Sequence, residues 1–105
     1  MAATRTLIAD LRQTGIRPTR IRAISIDGTS GTITCVDKEG QPLRPALMYN
    51  DRRSQQQAAS LNEMAGSFCD RLGYRFDASY ALAKILWIRE REPELFARTN
   101  FFAHH

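Results

Sequence analysis

The chain has 105 residues, 43% of them hydrophobic and 25% charged, so it has room for one domain at most and buries about two thirds of its unfolded surface. This balance excludes the low-apolar, high-charge regime of disordered chains. Apolar runs no longer than Ile85-Leu86-Trp87-Ile88 exclude a membrane-spanning helix, and the opening Met-Ala-Ala-Thr-Arg lacks the apolar core of a signal peptide, which makes the cytoplasm the expected compartment.

In chain order, Ala3, Leu7, Ile8 and Leu11 recur at helical spacing over residues 3–14, and Gly15 and Pro18 close that helix. Ile21 to Ile26 alternates apolar with small or polar residues and predicts a strand; Thr32 to Val36 predicts another. Between them, Asp27-Gly28-Thr29-Ser30-Gly31 reads as a turn. Asp37-Lys38-Glu39-Gly40 is a second tight turn, and Pro42 and Pro45 impose an edge-like connection into a short strand, Ala46 to Tyr49. Ala58, Leu61, Met64, Ala65, Phe68, Cys69 and Leu72 trace one face of a long helix from Ser54 to Leu72, stopped by Gly73. A further helix spans Ala81 to Arg91 with Leu82, Ile85, Leu86 and Trp87 inward, and Pro93 opens a short one through Arg98.

This order defines an α/β chain. The helix before the Ile21 strand has no earlier strand to cross from, which implies that the sequence begins inside a domain. Cys35 and Cys69 lie far apart with no CxxC pairing and no histidine at ligand spacing, and both fall on apolar faces, so buried reduced thiols are expected and a metal site is not. His104 and His105 close the chain without a ligand pattern.

The net charge of +4 comes from 15 basic and 11 acidic residues, and its excess lies near the start, in Arg5, Arg12, Arg17, Arg20 and Arg22 against Asp10. Five arginines without interleaved aromatic residues are a weak nucleic-acid footprint. A small basic nucleic-acid-binding module is nonetheless the competing reading, with a non-catalytic scaffold as a third.

Two polar clusters follow β-rich segments. Asp27, Gly28, Thr29, Ser30, Gly31 and Thr32 concentrate a carboxylate, three hydroxyls and glycine-exposed amides, which suits a polyhydroxylated ligand; the same residues also fit an ordinary hairpin turn. No lysine follows Gly31, so this is not a GxxxxGKS phosphate loop. In Tyr49-Asn50-Asp51-Arg52-Arg53, a carboxylate accepts sugar hydroxyls, a guanidinium donates, and the tyrosine ring meets apolar C–H faces. The alternative there is a helix start with Asp51 as cap.

Taken together, Ile24 to Thr32 and Val36 to Arg53 closely resemble the N-terminal domain of the FGGY carbohydrate kinases, above all the xylulose- and ribulose-kinase-like members. Ala83-Lys84-Ile85-Leu86-Trp87-Ile88 and Glu92-Pro93-Glu94-Leu95-Phe96 resemble the downstream segment of that domain, so the likeness covers nearly all of residues 1–105. It implies a partial ribonuclease-H-like, actin-like ATPase domain lacking its first strands. It also implies a fragment of an ATP-dependent kinase that phosphorylates a sugar or polyol hydroxyl, a ketopentose being the expected substrate. Asp27, Gly28, Thr29, Ser30 and Gly31, with Tyr49, Asn50, Asp51 and Arg52, match the segments that line the family's sugar pocket. Many xylulose kinases carry Met-His where this chain has Ser30-Gly31, and tryptophan where it has Tyr49.

The family's phosphate loop, catalytic-base aspartate and adenine-binding domain have no counterpart in these residues, so ATP and Mg2+ are expected cofactors whose ligands lie elsewhere. The remaining kinase segments are expected partners, and the isolated chain is expected to be inactive. The unpaired edge of the Ile21 strand predicts dimerisation or aggregation.

Overall fold

The computed structural model describes residues 2–25 and 27–104. Helix α1, Ala2–Gln13, forms where the sequence places it. Thr14 Oγ1 donates to the Leu11 carbonyl at 2.7 Å as the helix ends, and a 3-10 turn, Pro18–Arg20, follows. The expected strand from Ile21 to Ile26 does not form over residues 21–25, and Ile26 lies outside the described residues. A strand exists only through pairing. Among the described residues no backbone hydrogen bond joins 21–25 to another segment, and Ile24 is left 69% exposed.

Strand β1, Ile33–Val36, is the centre of the molecule. It pairs antiparallel with β2, Phe101–His104, in the register Ile33↔His104 to Val36↔Phe101. Its other edge takes the isolated bridges Ile33↔Leu47 and Val36↔Pro42. The expected strand from Ala46 to Tyr49 therefore shrinks to one bridge at Leu47, since Pro45 just before it offers no N–H to extend a ladder. The turn between β1 and Pro42 is held by Asp37, whose Oδ1 accepts the amides of Glu39 at 3.0 Å and Gln41 at 2.8 Å.

The expected helix from Ser54 to Leu72 is two helices, α2 (Gln55–Met64) and α3 (Gly66–Leu72), broken at Ala65. Glycine at 66 makes the break cheap, because an interior glycine costs a helix about 1 kcal/mol relative to alanine. Asn62 also draws the chain back there: its Nδ2 donates to the Phe76 carbonyl at 2.9 Å while its Oδ1 accepts the Phe76 amide at 2.7 Å. Helix α3 ends in left-handed Gly73, with Tyr74 N bonded to the Cys69 carbonyl and Gly73 N to that of Asp70, the closure glycine favours.

Helices α4 (Ala81–Arg91) and α5 (Pro93–Arg98) match their expected spans. The expected inward face of α4 needs correction. Leu82 is exposed, and the fully buried positions are Ala83, Lys84 and Ile88, with Ile85, Leu86 and Trp87 half-buried. Ile33, Cys35, Leu47 and Ile88 form the core, covered by Leu43, Ile85, Trp87, Leu95, Phe96 and Phe102. Both cysteines are free and buried, as expected, and burial pushes the Cys35 thiol up from its ordinary value.

The radius of gyration, 18.3 Å, well exceeds the ~13 Å of a compact chain this long. Leu7 on α1 is 60% exposed and Met64 on α2 is 83% exposed, so two apolar faces stand open. No described helix is long and apolar enough to cross a membrane.

Candidate functional site

The approach of the two polar clusters begins at the backbone of β1. Thr32, just before the strand, is buried, and its Oγ1 accepts the Tyr49 amide at 3.1 Å. The Ile33–Leu47 bridge exchanges two backbone bonds, at 3.0 and 2.9 Å. These contacts seat Gly31 beside Tyr49. A Cβ on Gly31 would lie 3.9 Å from the Tyr49 Cα and only 2.3 Å from the Ser79 carbonyl oxygen, and the residue has φ +81°. Glycine is thus required twice, by backbone angle and by space.

A third segment, Asp77 to Ser79, completes the site, and the sequence reading did not single it out. Ser54, the first residue before α2, is buried and its Oγ donates to the Ala78 carbonyl at 2.9 Å rather than capping the helix. Asp77 Oδ1 accepts the Ser79 amide at 2.9 Å. That bond and one from the Ser79 hydroxyl hold the Asp77 carboxyl below the usual range, with Arg52 adding to the effect.

Lys84 joins all three segments. Its side chain enters from α4, fully buried. Nζ donates to the carbonyls of Met48 at 2.6 Å, Gly31 at 2.7 Å and Ser79 at 3.1 Å. Three acceptors use all three ammonium protons. Burial pulls the group below the usual lysine range, opposed by the Asp51 and Asp77 carboxylates. A signal for it existed in the sequence: Lys84 is the lone cation in the apolar run Ala81 to Ile88.

Two hollows open around Ser79. One, of about 280 Å3, is lined by Tyr49, Asn50, Arg52, Asp77 and Ser79. The other, of about 370 Å3, has Ser30, Gly31 and Ser79 on one side and the ring cluster of Tyr74, Phe76 and Tyr80 on the other. Of the nominated residues, Ser30, Gly31, Tyr49, Asn50 and Arg52 therefore line adjoining hollows. Asp27, Gly28 and Thr29 are exposed and line neither; Asp27 Oδ1 accepts the amide of its neighbour Gly28 at 2.8 Å.

Asp51 also lines neither hollow. Its Oδ1 accepts the Arg53 amide at 3.1 Å and Arg53 Nε at 2.9 Å, while Oδ2 meets Arg53 Nη2 at 2.8 Å. The Arg53 guanidinium holds the Asp51 carboxyl below its ordinary value. That guanidinium lies 4.9 Å from the centre of the Trp87 ring, with Arg44 at 5.9 Å from the same ring and paired to Glu92 at 3.0 Å. The helix-cap alternative for Asp51 fails, because α2 begins after Ser54.

Among the described residues no group of three or more histidine, cysteine or acidic side chains is placed to hold a metal ion.

This arrangement of hydroxyl, amide, guanidinium and carboxylate groups beside aromatic rings suits a small polyhydroxylated ligand. Residues 1–104 match the FGGY family of carbohydrate kinases, N-terminal domain, and the chain belongs to that family. It is 37% identical over 93 residues to the xylulose kinase of Streptomyces rubiginosus, covering 86% of this chain and 19% of that protein. It is 33% identical over 93 residues to the glycerol kinase of Thermus brockianus, again covering 86% of this chain and 19% of the relative. The crystal structure of xylulose kinase from Bifidobacterium adolescentis superposes with a TM-score of 0.74 at 25% identity, covering 89% of this chain and 22% of that one. The chain thus spans about a fifth of the length of these relatives. Arg5, Arg12, Arg17, Arg20 and Arg22 fall within the matched domain.

Proposed function

We propose that residues 1–105 supply the sugar-holding part of an FGGY kinase N-terminal domain, a partial ribonuclease-H-like, actin-like unit. In this reading the strand partners of residues 21–26 and the groups that hold ATP and Mg2+ belong to other kinase segments. The carrying observation is the seating of Gly31 against Tyr49 and Ser79, which puts Ser30, Asn50, Arg52 and Asp77 around adjoining hollows. Arg52 and the Asn50 amide donate to ligand oxygens, the Asp77 carboxylate accepts from ligand hydroxyls, and the Tyr49 ring covers a C–H face. Asp27, Gly28 and Thr29 form the outer rim, and Asp51 keeps Arg53 docked on Trp87.

Full-length kinases built on such a domain transfer a phosphoryl group from ATP to an alcohol. The relatives named xylulose kinase make a ketopentose the proposed substrate, while the glycerol kinase relative keeps smaller polyols in the comparison. Positioning and charge neutralisation of the moving phosphoryl group need a base and a cation site, so the isolated chain binds substrate without turning it over.

Calorimetric titration of the chain with D-xylulose, D-ribulose and glycerol tests this. The expected result is millimolar binding to at least one ligand, little changed by salt and weakened about tenfold by Arg52→Ala. No heat with any of the three, or binding to duplex DNA that falls steeply with salt, overturns it. ATP consumption that depends on ketopentose and is lost in Asp51→Ala overturns the claim of inactivity.

A further inference from the structure

Lys84 is a buried cation that no part of the sugar-holding reading uses. Lysine is among the residues least often buried without a paired charge, and among the described residues no carboxylate is within ion-pair distance of this one. What it has instead is three carbonyl oxygens from three segments remote in sequence: Gly31 from the first polar cluster, Met48 from the start of the second, and Ser79 from the loop before α4. A neutral side chain of the same length would pack in the same space but leave three carbonyl oxygens facing each other, of which Met48's alone keeps another donor, the Asp51 amide at 3.0 Å. The three carbonyl dipoles point inward at one spot, so without a cation they repel and the segments part.

We propose that Lys84 is the positioning residue of the sugar site, its ammonium fixing the mutual spacing of the Ser30–Gly31, Tyr49–Arg52 and Asp77–Ser79 segments. This inference rests on the sugar-holding reading for its functional consequence, though not for its geometry. Gly31 belongs to the same device: its lack of a Cβ lets the Ser79 carbonyl approach closely enough for both oxygens to share the ammonium. Lys84 touches no ligand itself. Its effect reaches the ligand through Ser30, Tyr49 and Ser79, whose backbones it anchors directly or through a neighbour.

Three measurements test it. On the unaltered chain, 15N-detected NMR should show a slowly exchanging Lys84 ammonium, with hydrogen-bond couplings to the carbonyl carbons of Gly31, Met48 and Ser79. A freely exchanging ammonium without them overturns the proposal whatever the variants do. In Lys84→Met, amide exchange should quicken at least tenfold at Tyr49 and Tyr80 while the Leu43 and Asn100 amides, bonded to β1, keep their protection. Uniform loss of protection, or none at Tyr49, overturns it by showing a residue that holds either the whole fold or nothing local. In the folded fraction of Lys84→Met, affinity for D-xylulose should fall at least tenfold, with Lys84→Arg retaining more affinity than Lys84→Met; an unchanged dissociation constant overturns the positioning role. If the unaltered chain binds no sugar, the functional reading fails alone, and the first two measurements still decide the clamp.

Discussion

Residues 32–104 and residues 2–31 are two different kinds of structure. In the first region β1 is flanked on both edges, Ile33, Cys35, Leu47 and Ile88 are closed over, and buried polar groups such as Ser54 and Lys84 have protein partners. In the second, α1 makes its contacts with the neighbouring 3-10 turn, Leu7 and Ile24 are open to solvent, and residues 21–25 pair with no described segment. Local sequence shapes both regions equally well; only one finds its tertiary partners within the chain. The candidate site lies on their border, since Gly31 is the first residue of the chain to be buried among those whose side chains are described.

The contrast predicts a steep gradient of mutational cost. Lys84→Met leaves the Gly31 and Ser79 carbonyls without a donor, while Met48's keeps the Asp51 amide at 3.0 Å; at about 1–3 kcal/mol for each unsatisfied group the change should destabilise the 32–104 region by ~3 kcal/mol or more, read as a lower urea midpoint. A cost under ~1 kcal/mol would mean that the carbonyls find water. Gly31→Ala comes next, at about 2–3 kcal/mol, because a φ near +81° strains any L-residue and the new methyl meets the Ser79 backbone.

Acid should erode the same region. The Asp51 and Asp77 carboxyls both sit below their ordinary value of 3.8 in the folded chain. The unfolded chain therefore binds more protons in that window, and stability rises with pH. Their contribution is complete above 3.8 and is lost as pH falls through the depressed folded values. Urea midpoints measured from pH 6 to pH 2 should drop at the acid end, and Asp51→Asn should shallow that drop. The smallest effect belongs to α1: Leu7→Ala removes a side chain already 60% exposed and should change stability by less than about 0.5 kcal/mol. A loss of several kcal/mol there would show that α1 is covered in solution, by a second copy for instance.

The same gradient explains what the sequence makes legible. Helices α4 and α5 carry their own boundaries in Pro93 and their apolar spacing, and the Asp37 turn is fixed by one carboxylate within its own loop. Strand β2 was not foreseen, because Phe101 to His104 become a strand only through pairing with β1, far away in sequence. The Ile21 strand errs in the opposite direction: its alternation is strand-like, but pairing is a tertiary property and periodicity cannot supply it. The break at Ala65 hid inside an unbroken apolar stripe, where one glycine and the Asn62 clamp outweigh the pattern.

At the site, the two polar clusters were legible because their residue types concentrate hydrogen-bonding groups in short turns. Asp77 and Ser79 were not, since nothing local distinguishes Asp-Ala-Ser from any other polar loop. Lys84 was visible only as a cation out of place on an apolar run, and its three acceptors come from loops whose approach no spacing rule predicts.

The most direct test of the account is an amide-resolved NMR titration of the unaltered chain with D-xylulose. Shifts confined to Ser30, Gly31, Tyr49, Asn50, Arg52 and Ser79, saturating together with one dissociation constant, are predicted. Shifts that fall instead on α1 and the Arg17 to Arg22 stretch, or on none of these residues up to tens of millimolar sugar, would contradict it.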